Sequence, residues 1–351
     1  MTDRALLPGV LINVFGQPKE LKTITCLQAL VIDGHKPVLI GVRENLEALI
    51  TESLDMNPEF FEIIDDIRDM NGIKDQLEVI VSEKWDEPVY IDDINHKIHK
   101  SYFGWDDSAP VSVKDKGGKQ VAVKDGFFAH GQSKRDGFDV FEECRNSGLM
   151  VLVSAHEASP DLEKSRKGGP VTPNYEMRQQ FCSWFDINLR FYKNERDSLD
   201  PYAASCMYGL ANSTEWLTGD RYEKAWDATP RSIRELLRAA GRELPYPKEL
   251  RHIETIRDAV VASLRATSEK NDGVTLDDTM DLAESLAMSK FESQYGFPHM
   301  RWGLQEGVAA FLFEERLKGR RTNFRKKRRT NRGTEGGAAV RPSARKPATT
   351  T

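Results

Sequence analysis

Short apolar runs, each too brief for a helix and most of them unbroken by polar residues, set the strongest limit on what this chain can become. They are VLINVF (10–15), PVLIGV (37–42), LEVIV (77–81), PVYIDDI (88–94), LMVLVSA (149–155) and DINLRFY (186–192). Unbroken hydrophobicity over so few residues requires burial on both faces, the condition of a parallel strand between two helix layers. Longer stretches with helical spacing separate the runs, so most of the first 220 residues are expected to form a mostly parallel α/β sheet. The segment SVKDKGGKQVAVKDGFFAHG (112–131) reads as an inserted hairpin turning at or near Gly117-Gly118.

Past Pro245 the period changes. Leu250, Ile253, Ile256, Val260 and Leu264 recur at helical spacing, and TLDDTMDLAESLAMSKFES repeats the pattern behind a Thr275 cap. With WGLQEGVAAFLFEERL these make a small all-helical unit, 246–317, following an α/β domain over 1–245. The remainder, 318–351, carries 12 Lys and Arg against one acid, Glu335, which leaves 38 basic and 54 acidic residues before it. A body near −16 therefore precedes a tail near +11. The tail is too polar and too rich in Gly, Pro and Thr to fold alone. It reads either as a disordered arm that releases counterions from nucleic acid, with Arg325, Lys326, Lys327, Arg328 and Arg329 at its centre, or as a solubilising segment lying on the acidic body.

Several classes drop out. No apolar run approaches the ~20 residues that span a bilayer, and MTDRALLPGV lacks the build of a signal peptide. The expectation is a cytoplasmic protein with no membrane partner. Cys26, Cys144, Cys182 and Cys206 are widely spaced with no C-x-x-C pair, so neither a zinc knuckle nor a redox motif is indicated.

The chemistry begins in LINVFGQPKELKT (11–23). Gly16, Lys22 and Thr23 have the spacing of G-x-x-x-x-G-K-[ST], with Leu21 in place of the second glycine. Such a loop offers backbone N–H groups and a helix dipole to phosphate, with a lysine for the outer phosphates and a hydroxyl for magnesium. Gly16, Gln17, Pro18, Lys19, Glu20, Leu21, Lys22 and Thr23 are the candidate cradle. A leucine forced to positive φ costs about 1–2 kcal/mol. Downstream, strands end in Glu44, in Asp92-Asp93 and in His156-Glu157, converging on the edge where open α/β sheets place ligands. Asp92 and Asp93 fit a magnesium site or a helix cap. DDINHKIH also sets His96 and His99 beside them as a rival transition-metal arrangement.

In this order the parts resemble the RecA-like P-loop ATPases, above all their small phage-encoded members, over roughly residues 8–241. FGQPKELKT is similar to that family's phosphate loop, with Leu21 the departure. The resemblance implies ATP and Mg2+ as cofactors. It implies Lys22 on the phosphates, Thr23 and Asp92, with Asp93, on the metal, Glu44 polarising the attacking water, and His156 sensing the terminal phosphate. AHEASPDLEKSRKGGPVTPNYEMRQQFCSWFDINLRF resembles a DNA-facing loop, which gives Lys164, Arg166, Lys167, Gly168 and Gly169 to nucleic acid, single strands favoured. Arg221 is placed to reach a neighbouring subunit's phosphates in a homo-oligomeric ring or filament. Recombination, annealing or replication support is the implied task. A degenerate, non-hydrolysing scaffold or phage assembly component is the alternative that Leu21 favours, and a packaging or helicase-type motor would use the same core.

Overall fold

Strand β1 (Leu11–Gly16) takes the middle of the sheet because all six of its residues are buried. The computed structural model describes residues 7–18, 21–41, 46–64, 67, 70–84, 86–94, 111–114, 117–123, 139–172, 175–193, 205–208, 213–222, 229–230, 232–271 and 276–334. After β1 come α1 (Lys22–Leu30), β2 (Val38–Ile40), α2 (Leu46–Leu54), β3 (Glu62–Ile64), α3 (Met70–Lys84) and β4 (Val89–Ile91). Next are β5 (Val111–Lys114) and β6 (Gln120–Val123), a helix α4 over 139–146, and β7 (Val151–Ala158). Then follow β8 (Gly169–Pro170), α5 (Tyr175–Ser183), β9 (Ile187–Lys193), β10 (Ser205–Tyr208), β11 (Gly219–Asp220) and β12 (Thr229–Pro230). The chain closes with α6 (Ile233–Ala239), α7 (Arg251–Lys270), α8 (Leu276–Phe291) and α9 (Phe297–Thr334).

The sheet runs β12-β10-β9-β1-β7-β4-β2-β3. Every pairing from β9 to β3 along that path is parallel, while β10, β11 and β12 add an antiparallel margin. Successive side chains divide between two helix layers, as a doubly covered sheet requires. Ile12, Val14, Leu39, Tyr90 and Leu189 join the core under α1, α2 and α6. Leu11, Val38, Ile40, Ile91 and Val153 join the core with α3, α4 and α5 on the other face. The fold is thus α/β with a mostly parallel sheet and a helical C-terminal region. The expected hairpin is present as the antiparallel pair β5 and β6, with Gly118 at φ 80° in its turn.

One expected strand is a helix. LEVIV (77–81) lies inside α3, where Ile73, Leu77 and Ile80 are buried at helical spacing while Val79 is 46% exposed. The last helix also runs further than its apolar stretch. Helix α9 continues to Thr334 rather than stopping at 317. Arg and Lys are good helix formers, so a basic run extends a helix already nucleated by an apolar stretch. The Thr275 cap and residues 335–351 lie outside the described residues.

Helix α9 serves two cores at once. Trp302, Ala309 and Phe313 pack into the core under α1, and Met300, Leu304, Val308 and Phe311 pack with α7 and α8. Close approach is possible because Gly303 and Gly307 face α7. A Cβ on either would lie 2.7 Å from the Cβ of Ile256 or Val260.

Candidate functional site

Leu21 carries the site's backbone geometry. It precedes α1 with φ 59° and ψ 27°, the left-handed conformation that glycine adopts without penalty. Its carbonyl accepts the Thr25 N–H at 3.1 Å, so it is the N-cap, and the amides of the first helical turn are directed at the loop. The first turn of α1 carries no acid to offset the positive end of the helix. Lys22 folds its ammonium back across the loop, donating to the Gly16 carbonyl at 3.0 Å and the Gln17 carbonyl at 2.7 Å.

Next to this cationic end lies an oxygen cluster. Tyr90 donates to Asp92 Oδ1 at 2.8 Å and is 3.3 Å from Thr23 Oγ1. Ser154 donates to the same Asp92 oxygen at 2.6 Å and lies 3.3 Å from the Asp93 amide. Asp93 is buried with φ 49°. Burial, and then the charge of Asp92, raise the Tyr90 hydroxyl well above the ordinary phenol range. Burial raises the Cys26 thiol beneath the site, Asp92 adds to the rise, and Lys22 opposes it.

A cavity of about 300 Å³ joins these groups, lined by Leu21, Lys22, Thr23, Asp92, Asp93 and His156 among others. Its size is at the lower end of small-ligand sites. A lysine and helix-terminal amides on one side suit phosphate. A threonine hydroxyl and a carboxylate on the other are the hard oxygen donors that magnesium takes while keeping waters and phosphate oxygens as its remaining ligands. The donor set fits a nucleoside triphosphate with Mg2+.

The structure therefore brings Gly16, Gln17, Pro18, Leu21, Lys22, Thr23, Asp92, Asp93 and His156 to one edge. Gly16 is level with His156 on one side and Phe191 on the other, and the His156 side chain is exposed. Lys19, Glu20, Glu44, His96 and His99 lie outside the described residues.

Arg221, expected to serve a neighbouring subunit's phosphates, stands away from this edge within its own chain. Its guanidinium pairs with Asp186 at 2.8 Å, and Asp186 also accepts the Leu11 amide at 2.9 Å. Leu11 begins β1 and Gly16 ends it, so Arg221 stands roughly 17 Å away across the sheet.

The basic loop is held by its own backbone and by packing. Asp161 and Arg166 exchange backbone hydrogen bonds of 2.8 Å each, closing a tight hairpin whose turn exposes Leu162, Glu163, Lys164 and Ser165. Gly168 and Gly169 are buried. A Cβ on Gly168 would come within 2.5 Å of the Trp216 ring, so its missing side chain permits close packing rather than motion. Lys167 donates its ammonium to the Ser213 carbonyl. Lys164 and Arg166 are the exposed cations of the expected nucleic-acid set on this loop; Lys167, Gly168 and Gly169 are anchors.

Sequence reasoning missed Tyr90, Ser154 and a bracing group. Gln17 donates to Glu157 at 2.7 Å, Arg190 clamps Glu157 at 2.8 and 3.3 Å, and the Arg190 guanidinium lies 3.6 Å from the Trp216 ring centre. The available signal was alternation: Tyr90 stands two residues before Asp92 and shares its face of the strand.

No family model matches the chain, and no curated protein matches it. Among solved structures, a KaiC-like protein from the hyperthermophilic archaeon Pyrococcus horikoshii aligns at TM-score 0.35 and 9% identity, covering 54% of this chain and 74% of that one.

Proposed function

We propose that the protein binds ATP with Mg2+ at the carboxyl edge of its sheet and couples that state to DNA, single strands favoured, as a RecA-like ATPase assembled into a homo-oligomer. The observation that carries the reading is Leu21 in the left-handed conformation, φ 59°. The substitution leaves the loop in a glycine-like geometry, with Lys22 and Thr23 on the same cavity as Asp92. The first-turn amides and Lys22 would hold the phosphates, and Thr23 and Asp92 the metal. Magnesium, when bound, neutralises charge on the phosphoryl oxygens, and the protein's part is positioning. Lys164, Arg166 and the basic run on α9 are the proposed contacts to DNA phosphates.

A second reading has its own observation: the Leu21 side chain lines the cavity. A protein that holds its loop but leaves too little room for a triphosphate would act as a nucleic-acid-binding scaffold. ATP binding and turnover, measured with and without single-stranded DNA in wild type, Lys22→Ala and Leu21→Gly, separate the two. Turnover that vanishes in Lys22→Ala supports the enzyme. Wild type that binds no nucleotide, with binding restored by Leu21→Gly, supports the scaffold.

A further inference from the structure

The proposed function leaves the buried Tyr90 hydroxyl at the site without a task. We infer that Tyr90 is a positioning residue for the cation end of the site: it turns the Thr23 proton inward and holds Asp92 Oδ1, so that both residues present oxygen lone pairs to a divalent ion. This rests on the nucleotide and magnesium reading above.

Counting protons gives the direction of each bond. A phenol has one to give, and the oxygens around Tyr90 include Asp92 Oδ1 at 2.8 Å and Thr23 Oγ1 at 3.3 Å, with the Ser154 hydroxyl beside them. An ionised carboxylate can only accept, so the phenol proton goes to Asp92. The contact with Thr23 is then made by the threonine's own proton, donated to Tyr90 Oη. Ser154 spends its proton on the same Asp92 oxygen at 2.6 Å. Each hydroxyl proton in the cluster thus points along the chain Thr23, Tyr90, Asp92, or from Ser154 to Asp92, and none points into the cavity. A cation is recognised by lone pairs, so this polarity suits it, and a threonine proton turned outward would oppose it. Tyr90 is completely buried, so bulk water does not compete for the bond. A ring serving packing alone would not require a hydroxyl between two residues of the site.

Tyr90→Phe withdraws the hydroxyl and leaves the ring. The measurement is ATP affinity as a function of Mg2+ concentration and in EDTA, with thermal unfolding recorded alongside. The expected result is about a tenfold rise in the Mg2+ concentration needed for half-maximal binding, the worth of one hydrogen bond to a charged group, with affinity in EDTA unchanged. Ser154→Ala removes the other donor to Asp92 but leaves the Thr23 contact, and should shift the midpoint less. An unchanged Mg2+ midpoint in Tyr90→Phe overturns the inference, and so does equal weakening with and without metal, which would mark a structural role. An equal shift in Ser154→Ala overturns the part assigned to Thr23. Wild type that binds no ATP at any Mg2+ concentration fails earlier, at the parent reading, and takes this inference with it.

Discussion

Arg234 and Glu306 face each other almost wholly out of water, guanidinium Nε to carboxylate Oε1 at 3.7 Å, across the seam between α6 and α9. The guanidinium also donates to the carbonyls of Leu244 and Val31, and to that of Gln28 at 3.3 Å, and it stacks 3.8 Å from the Tyr246 ring centre. Gln28 and Val31 belong to the C-terminal end of α1, where helix carbonyls favour a cation. Trp302 donates to Glu306 at 2.9 Å. A buried pair of this kind punishes loss of one member more than loss of both. Arg234→Leu should destabilise by about 3–5 kcal/mol in urea unfolding, and Arg234→Leu with Glu306→Leu should recover a large part of that. A double variant as unstable as the single would show that the carbonyl contacts, rather than the ion pair, set the cost.

Leu21 makes a prediction with two signs. Leu21→Gly relieves about 1–2 kcal/mol of left-handed strain and costs about 0.5–1 kcal/mol in chain entropy, so stability should stay level or rise by up to about 1.5 kcal/mol. Leu21→Val places a branched Cβ in the same conformation and should destabilise clearly, where Leu21→Gly does not. Chemical denaturation of the two side by side reads the difference, and equal effects would mean that the loop relaxes away from the left-handed region.

Much of this architecture was legible because parallel strands announce themselves as short apolar runs, unbroken at β1, β2, β4 and β7 and alternating with Asn188 and Arg190 at β9. LEVIV failed because five residues are too few to tell strand from helix. Over the full length of α3 the Ile73, Leu77, Ile80 face is helical. Lys22, Thr23 and Asp92 were found by spacing and strand-end position. Tyr90 was hidden because a tyrosine in an apolar strand reads as core, and only the fold shows its hydroxyl emerging beside Thr23. The packing role of Gly168 was hidden because its contact with Trp216 spans a sequence separation that local patterns do not register.

The basic hairpin separates two kinds of lysine. Lys164→Ala and Arg166→Ala should weaken DNA binding and flatten its salt dependence, by roughly one unit of slope for each phosphate no longer neutralised. Lys167→Ala should act on stability instead, since its ammonium serves the Ser213 carbonyl. Removing 318–351 should likewise lower both affinity and slope. Salt titrations of DNA binding decide, and an unchanged slope in Lys164→Ala, Arg166→Ala and the truncated chain would remove these segments from the interface.

Acid should loosen the helical region first. His252 Nε2 lies 2.8 Å from His299 Nδ1, with the Tyr295 ring stacked on His252 at 4.6 Å. Burial, then the neighbouring His299, lower the His252 pKa from 6.5. A histidine with a depressed folded pKa binds fewer protons folded than unfolded, so stability is full above about 6.5 and falls as pH drops toward the folded value. His299→Gln lifts one cause of the depression and should make Tm less sensitive to pH between about 7 and 5. The same slope in both proteins would assign the acid response to other groups.

The 38 residues of α9 form one unbroken helix, about 57 Å of rod at 1.5 Å per residue. Glu306, bonded into the brace behind the phosphate-loop helix, and the arginines near its far end share that rod with no joint between them. The ion pair that seats α1 and the cationic end thus stand on a single secondary-structure element.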